Sequence, residues 1–480
     1  LKWAPDHLIE LALISGGRRP VKTLIYLPLA LIFFLDSTPD LYSQERDEIT
    51  VDTVVDDLKN GKPRLAVKHS LHLSKSERES AVAHALHGLA LIDCGEYGKA
   101  EKELRIALSL DQESPEAHLG IGKLAWGKGH RGEAIKHFYA ATSSAHLKYL
   151  AHHLLGYALS LVNEHDEAVK IYEQALNEIS GLSDDEEAFL RSNISIYKGF
   201  GKKELYRISD DFRSTQVSFT NSDGHILVPV KVNGKDIGSV HLDTGGSGGL
   251  TLSAEWANKL NLEIIGRRTG RNVAKELKAD VALLDEIRLG DLVIKNVPVN
   301  LYEGSAFHGN CSGNLGKEVL QNLNMTLDFK NSEVIFYHPE YPELLKAEIE
   351  QKEASQAIPF YNINFIVVTA SINGHEAQPF ILDTGAGVVV FHEEYYLDVL
   401  EPRENKGEKS KLESPKAFTV KSILLGNRIY KDQFSIAMDL GDLYAFGKVY
   451  YPGIIGNPLF QEAKVHFNFA DSVLIIEEKQ

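Results

Sequence analysis

Between residues 81 and 182 the apolar positions recur at helical spacing, and a longer period is laid over them. Gly88, Gly122 and Gly156 stand 34 residues apart. So do Ala100, Ala134 and Ala168; Leu104, Phe138 and Tyr172; and Ala107, Ala141 and Ala175. Four columns in phase predict stacked helix pairs, because small residues let two helix backbones approach while the large one fills the gap to the next helix. Gly61 and Ala66 fall one period before Gly95 and Ala100, so a weaker repeat is expected ahead of the others. The acidic stretch 184–200 is expected to be a closing helix over the end of the stack. After about residue 210 the pattern changes to short runs such as "HILVPVKV", "LVIKNVPVNLY", "FIVVTASI" and "SVLIIEE". With Asn-Gly turns between them, these predict β-strands.

The β-rich half carries its own repeat. Asn233-Gly234 precedes Asp243 as Asn373-Gly374 precedes Asp383, Leu315-Gly316 matches Ile455-Gly456, and Asp328-Phe329 matches Asn468-Phe469. Two copies of one lobe are expected, at 210–338 and 357–480, joined by a charged linker at 339–356 and preceded by repeats at 47–200. Within the first copy, "HLDTGGSGGL" (241–250) admits two chemistries. Gly245, Ser247 and Gly249 fit the G-x-S-x-G turn of a serine nucleophile, whereas Asp243-Thr244-Gly245 presents a carboxylate. The second copy reads "LDTGAG" and has no serine. A serine nucleophile would also need alternating strands and long helices, which residues 210–480 lack. Asp243 is the residue selected.

The first repeat resembles the tetratricopeptide repeat, with small, small, aromatic and small residues at that family's offsets over residues 81–182. The β-rich half resembles the retropepsin-type and pepsin-like aspartic peptidases over about 215–480. Each copy has Asp-Thr-Gly and then a hydrophobic-hydrophobic-Gly element: "GIIG" at 453–456 and, less closely, "GNLG" at 313–316. The expected architecture is therefore multidomain: an all-α repeat solenoid followed by an all-β two-lobed aspartic-peptidase fold. The resemblance implies an aspartic endopeptidase with Asp243 and Asp383 as the catalytic pair. It implies that Thr244 and Thr384 bridge the lobes, that Gly245 and Gly385 permit the turns, and that Leu315-Gly316 and Ile455-Gly456 pack beneath them. Two adjacent carboxylates share one proton, so one can activate water while the other protonates the peptide carbonyl. Neither metal nor other cofactor is called for.

Two departures bear on this reading. Asn314 replaces a hydrophobic residue, which is expected to loosen packing in the first lobe. The stretches where substrate-covering flaps are expected, near 266–280 and 403–416, are charged and lack a glycine-rich tip. The alternative function is a non-catalytic peptide-binding scaffold of degenerate lobes and repeats. The residues after the two Asp-Thr-Gly turns, Gly246 and Ala386, offer no side-chain hydroxyl to the carboxylates. The pair should therefore keep its shared proton to higher pH, giving a bell-shaped rate profile centred at about pH 5–6.5. A chain beginning at residue 205 holds both aspartates and is expected to act as a monomer without the repeats.

Composition narrows the setting. A formal charge of −16 over 480 residues argues against nucleic-acid binding. Cys94 and Cys311 stand alone, without zinc or disulfide spacing. His84, His118 and His152 share a phase of the repeat and are read as packing residues rather than a metal ladder. The expected partners are a peptide or protein substrate and a protein docked by the repeats. "LIYLPLALIFFL" (Leu24–Leu35) follows Arg18, Arg19 and Lys22, and suits a signal peptide or an uncleaved anchor contacting the membrane. Val21 reads as a GTG start, with 1–20 untranslated. Export to a bacterial envelope, periplasmic or membrane-anchored, follows as the expectation.

Overall fold

The computed structural model describes residues 49–478 apart from 247, 272–275, 304–310, 350–356, 402–411, 413 and 442–446. The apolar run Leu24–Leu35 and Ser247 lie outside the described residues. Helices come first: α1 (Val51–Lys59), α2 (Pro63–Ser76), α3 (Ala81–Asp93), α4 (Tyr97–Leu110), α5 (Pro115–Gly127), α6 (Arg131–Ala141), α7 (Lys148–Leu161), α8 (His165–Glu178) and α9 (Asp184–Phe200). Side-chain caps mark the starts of several of them. Ser80 and Ser114 accept from the N–H groups of Ala83 and Ala117, and Ser183 with Glu186 closes a capping box on α9.

The 34-residue columns are the seams of the stack. A Cβ on Gly88 would sit 2.6 Å from Leu104 Cγ; on Gly122, 2.7 Å from Phe138 Cδ1; on Gly156, 2.6 Å from Tyr172 Cζ. The large residue of each repeat therefore lies directly on that repeat's glycine, and the alanines of the other columns are wholly buried. The turn inside each pair needs a left-handed residue, and Gly61, Gly95, Gly129 and Asn163 supply it with φ of 64°, 74°, 81° and 67°. The histidine column has no common partner. His84 pairs with Glu103, His118 with His137, and His152 with the Lys148 carbonyl.

Beyond α9 the described residues are mostly strands, in sheets of nine, six and seven. The nine-stranded sheet is built from the first copy together with Arg207–Ile208 just before it, and the seven-stranded sheet from the second. The six-stranded sheet mixes them: Asn324–Asp328 pairs antiparallel with Ala463–Asn468, Thr326 facing His466. In the first copy Gly313–Gly316 runs parallel to Lys235–Asp243, with Gly316 beside Asp243. In the second, Gly453–Gly456 runs parallel to Gln378–Asp383, with Gly456 beside Asp383.

Helices and sheets share a core. Residues 49–480 form one compact unit, and one apolar cluster combines Leu91, Ile92, Tyr97 and Leu124 with Val367, Ile381, Val449 and Tyr451. Tyr97 stacks on Tyr361 at 4.0 Å, and its hydroxyl lies 3.2 Å from that of Tyr451. Tyr450 donates its N–H to the Asp93 carbonyl, and Arg64 lies over the Tyr450 ring. No helix among the described residues is long and apolar enough to cross a membrane.

Candidate active site

Asp243 and Asp383 each end a strand, and each is followed by a turn that projects toward the other lobe. Buried threonines hold the two turns together reciprocally. The Thr244 N–H donates to Thr384 Oγ1 at 2.9 Å, and the Thr384 N–H to Thr244 Oγ1 at 2.9 Å. Each hydroxyl then donates onward across the junction, Thr244 to the Leu382 carbonyl at 3.2 Å and Thr384 to that of Leu242 at 2.7 Å. Both N–H groups and both hydroxyls of the buried pair are thereby satisfied.

Above the threonines the carboxyls meet. The single N–H of Gly245 lies 3.0 Å from Asp243 Oδ1 and 3.1 Å from Asp383 Oδ1. Gly385 donates to Asp383 Oδ1 at 2.7 Å, and Gly246 to Asp243 Oδ1 at 2.7 Å. The glycines are needed for a reason other than the turn geometry expected of them. Neither Gly245 nor Gly385 has a positive φ; instead, a Cβ on either would strike the aspartate of the opposite lobe, that of Gly385 lying 2.5 Å from Asp243 Oδ1. Leu315 and Ile455 are fully buried beneath the turns. A Cβ on Gly316 would meet the Gly246 carbonyl at 3.0 Å, and one on Gly456 the Val388 carbonyl at 2.6 Å.

Two carboxyls in one water-poor place cannot both ionise cheaply. Burial raises Asp243 above the ordinary carboxylate range, against the N–H groups that favour its charge. Burial and the neighbouring Asp243 charge together push Asp383 up to about 8. Both shifts favour a pair that holds one proton between its two carboxyls.

Three further residues act at the site: Asn314, expected only to loosen packing, and Lys317 and Asn457, which the sequence does not single out. Asn314 does not fill a core position; its Nδ2 donates to Asp243 Oδ2 at 2.9 Å. Lys317 and Asn457, one residue past the paired glycines and 140 apart, each reach into the other lobe. Lys317 donates to the Asn364 carbonyl at 2.8 Å, and Asn457 to those of Gly224 at 3.0 Å and Thr384 at 2.5 Å. Burial lowers the Lys317 ammonium to about 8. Their shared phase in the 140-residue repeat was the signal that could have found them. Among the described residues no cluster of His, Cys, Asp and Glu could hold a metal.

Residues 228–319 match the family model described as aspartyl protease, and residues 149–178 match that of the tetratricopeptide repeat. The comparison with curated proteins returned no match. Among solved structures the chain is similar to the aspartic proteinase from Irpex lacteus, at 12% identity and a TM-score of 0.40, over 56% of this chain and 98% of that one. The described chain is an all-α region, part of which matches the tetratricopeptide repeat, followed by an all-β two-lobed region whose residues 228–319 match the aspartyl protease model, an architecture consistent with the aspartic-peptidase fold.

Proposed function

We propose that the chain is an aspartic endopeptidase whose two lobes build one active site from Asp243 and Asp383. The observation that carries this reading is the matched carboxyl pair, held by reciprocal threonine bonds and by a shared Gly245 N–H. Such a pair serves acid–base hydrolysis directly. The ionised member takes a proton from water as its oxygen attacks the peptide carbonyl, and the protonated member donates to the carbonyl oxygen. The tetrahedral diol then collapses as its C–N bond breaks and the amine leaves with a proton. A peptide-binding scaffold would have no use for two carboxyls placed to share one proton.

The test is cleavage of a peptide library by the full chain and by Asp243→Asn and Asp383→Asn. Each substitution is expected to lower turnover by about 10²–10⁴-fold or more, with circular dichroism and Tm preserved. Near-normal turnover in either folded variant would refute the dyad. We assign the repeats to docking of the protein substrate or an adaptor, beyond their internal contacts with the lobes. Changes on their solvent face should slow cleavage of a protein substrate and leave that of a short peptide unaltered. The apolar run Leu24–Leu35 supports export and envelope association, for which cell fractionation is the check.

A further inference from the structure

The two halves of the dyad are not equivalent, and the difference lies in one side chain. The strands Gly313–Gly316 and Gly453–Gly456 occupy matching places beside the two aspartates. At the second position of each, the first lobe has Asn314 and the second has Ile454. Asn314 is half-buried, paired across the sheet with His241 and Thr251, and its Nδ2 lies 2.9 Å from Asp243 Oδ2. Ile454 belongs to the apolar cluster beneath the repeats and offers no donor.

The donors therefore divide unevenly. Asp243 accepts from Gly246 N–H on Oδ1 and from Asn314 on Oδ2, so both of its oxygens are engaged by groups of its own lobe. Asp383 accepts from Gly385 N–H on Oδ1. The Gly245 N–H lies between the two carboxyls and favours neither strongly. An NH₂ group stabilises an ionised carboxylate and has nothing to accept from a protonated one. If Asp243 carried the proton on Oδ2, the amide would have to turn its oxygen toward it.

We infer that Asn314 is a positioning residue that fixes the shared proton on Asp383, leaving Asp243 as the carboxylate that takes the proton from water. The assignment of steps rests on the peptidase reading above; the location of the proton does not. Other groups that face Asp243 are the Asp383 carboxyl and the peptide N–H groups of its own turn. His241, earlier on the same strand, stands 4.9 Å from the His225 ring, and Lys317 is turned to the carbonyls of Ile363 and Asn364. The same bond offsets the missing hydroxyl at Gly246, where a Cβ would lie 2.7 Å from Asp243 Oδ2. A serine donor has no room there, and the amide reaches that oxygen from the neighbouring strand.

The experiment follows the side-chain carboxyl carbons of Asp243 and Asp383 by NMR through a pH titration of the full chain, beside Asn314→Leu and the isosteric Asn314→Asp. In the unaltered protein Asp243 should ionise first. In Asn314→Leu its ionisation should move up by about one pH unit, and further in Asn314→Asp, where a third carboxyl faces it. The acidic limb of the kcat/KM profile should move with it, while KM changes less than kcat. If Asp383 ionises first, or if Asp243 titrates identically in either folded variant, the inference is overturned. If the unaltered protein cleaves no peptide, the peptidase reading fails while the titration still decides where the proton sits.

Discussion

Gly246 and Ala386 follow the two Asp-Thr-Gly turns in register, yet they tolerate different changes. Gly246→Ser would drive a Cβ into Asp243 and should abolish turnover. Ala386→Ser adds only a hydroxyl to a residue that already has a Cβ. That donor would favour ionised Asp383 and move the basic limb of the rate profile, expected near 8 from the raised Asp383, to lower pH. The same shift makes a stability prediction. Between the unfolded carboxyl pKa of about 4 and the folded value near 8, the native state holds a proton that the unfolded chain has lost. Stability should fall as pH rises through that window, and urea unfolding of Asp383→Asn should show the slope reduced. A flat urea midpoint in the unaltered protein would contradict it. The aspartates, threonines and glycines of this site were legible because their motif occurs twice in one chain. Asn314 was legible only as a packing fault, since its partner is 71 residues away and meets it through a parallel strand register that the sequence does not announce. The glycines show in the sequence only as turn formers, whereas the carboxyl that leaves no room for a Cβ comes from the other lobe.

At the scale of elements, α9 closes the helical stack and also covers the edge strand Ile264–Arg271, which ends the nine-stranded sheet. Ser195 donates to the Ile265 carbonyl at 3.0 Å, and Ser192 donates to that of Arg267. Gly199 and Gly266 allow the approach, for a Cβ on Gly199 would lie 2.7 Å from Ile265 Cβ and one on Gly266 2.5 Å from Ile196 Cγ1. Unpaired edge carbonyls are thereby satisfied by a helix rather than a strand. The expected flap stretch near 266–280 falls partly on this strand and the one it pairs with, and its residues 272–275 lie outside the described residues. Gly266→Val should cost about 1–3 kcal/mol by overpacking and speed amide exchange along Ile264–Arg271 before the central strands. Unchanged exchange there, with Tm unaltered, would show that the helix does not hold the strand. The closing helix was legible from its acidic start and its place after the repeats. Its second contact was not, because serine and glycine on a helix face read simply as weak helix formers.

For the whole molecule, the repeats and the lobes share one compact unit and a common core, and this changes what a fragment can do. Asp243 and Asp383 come from one chain, bridged by Thr244 and Thr384, so activity of the full chain should scale linearly with its concentration. The sequence suggests that residues 205–480 would suffice, since they contain every residue of the dyad. The structure argues otherwise. Removing the helices would uncover Ile381, Val449 and Tyr451, which now share a core with Leu91, Ile92 and Leu124. It would also strip Tyr157 from Glu318, whose carboxylate accepts from the Tyr157 and Tyr206 hydroxyls at 3.0 Å each. Glu318 lies two residues past Gly316, the partner of Asp243 in the parallel register, so the loss reaches the floor of the site. Burying apolar area contributes about 25 cal/mol per Å², and a lobe deprived of this face loses both that term and its polar partners. Residues 49–480 should therefore unfold in one cooperative transition, seen alike by calorimetry and by circular dichroism. The 205–480 fragment should bind a hydrophobic dye, associate in solution and cleave peptides at least about tenfold more slowly, a deficit of about 1.4 kcal/mol or more in transition-state stabilisation. A fragment that stays monomeric and matches the full chain would show instead that the lobes stand alone and the shared core is dispensable.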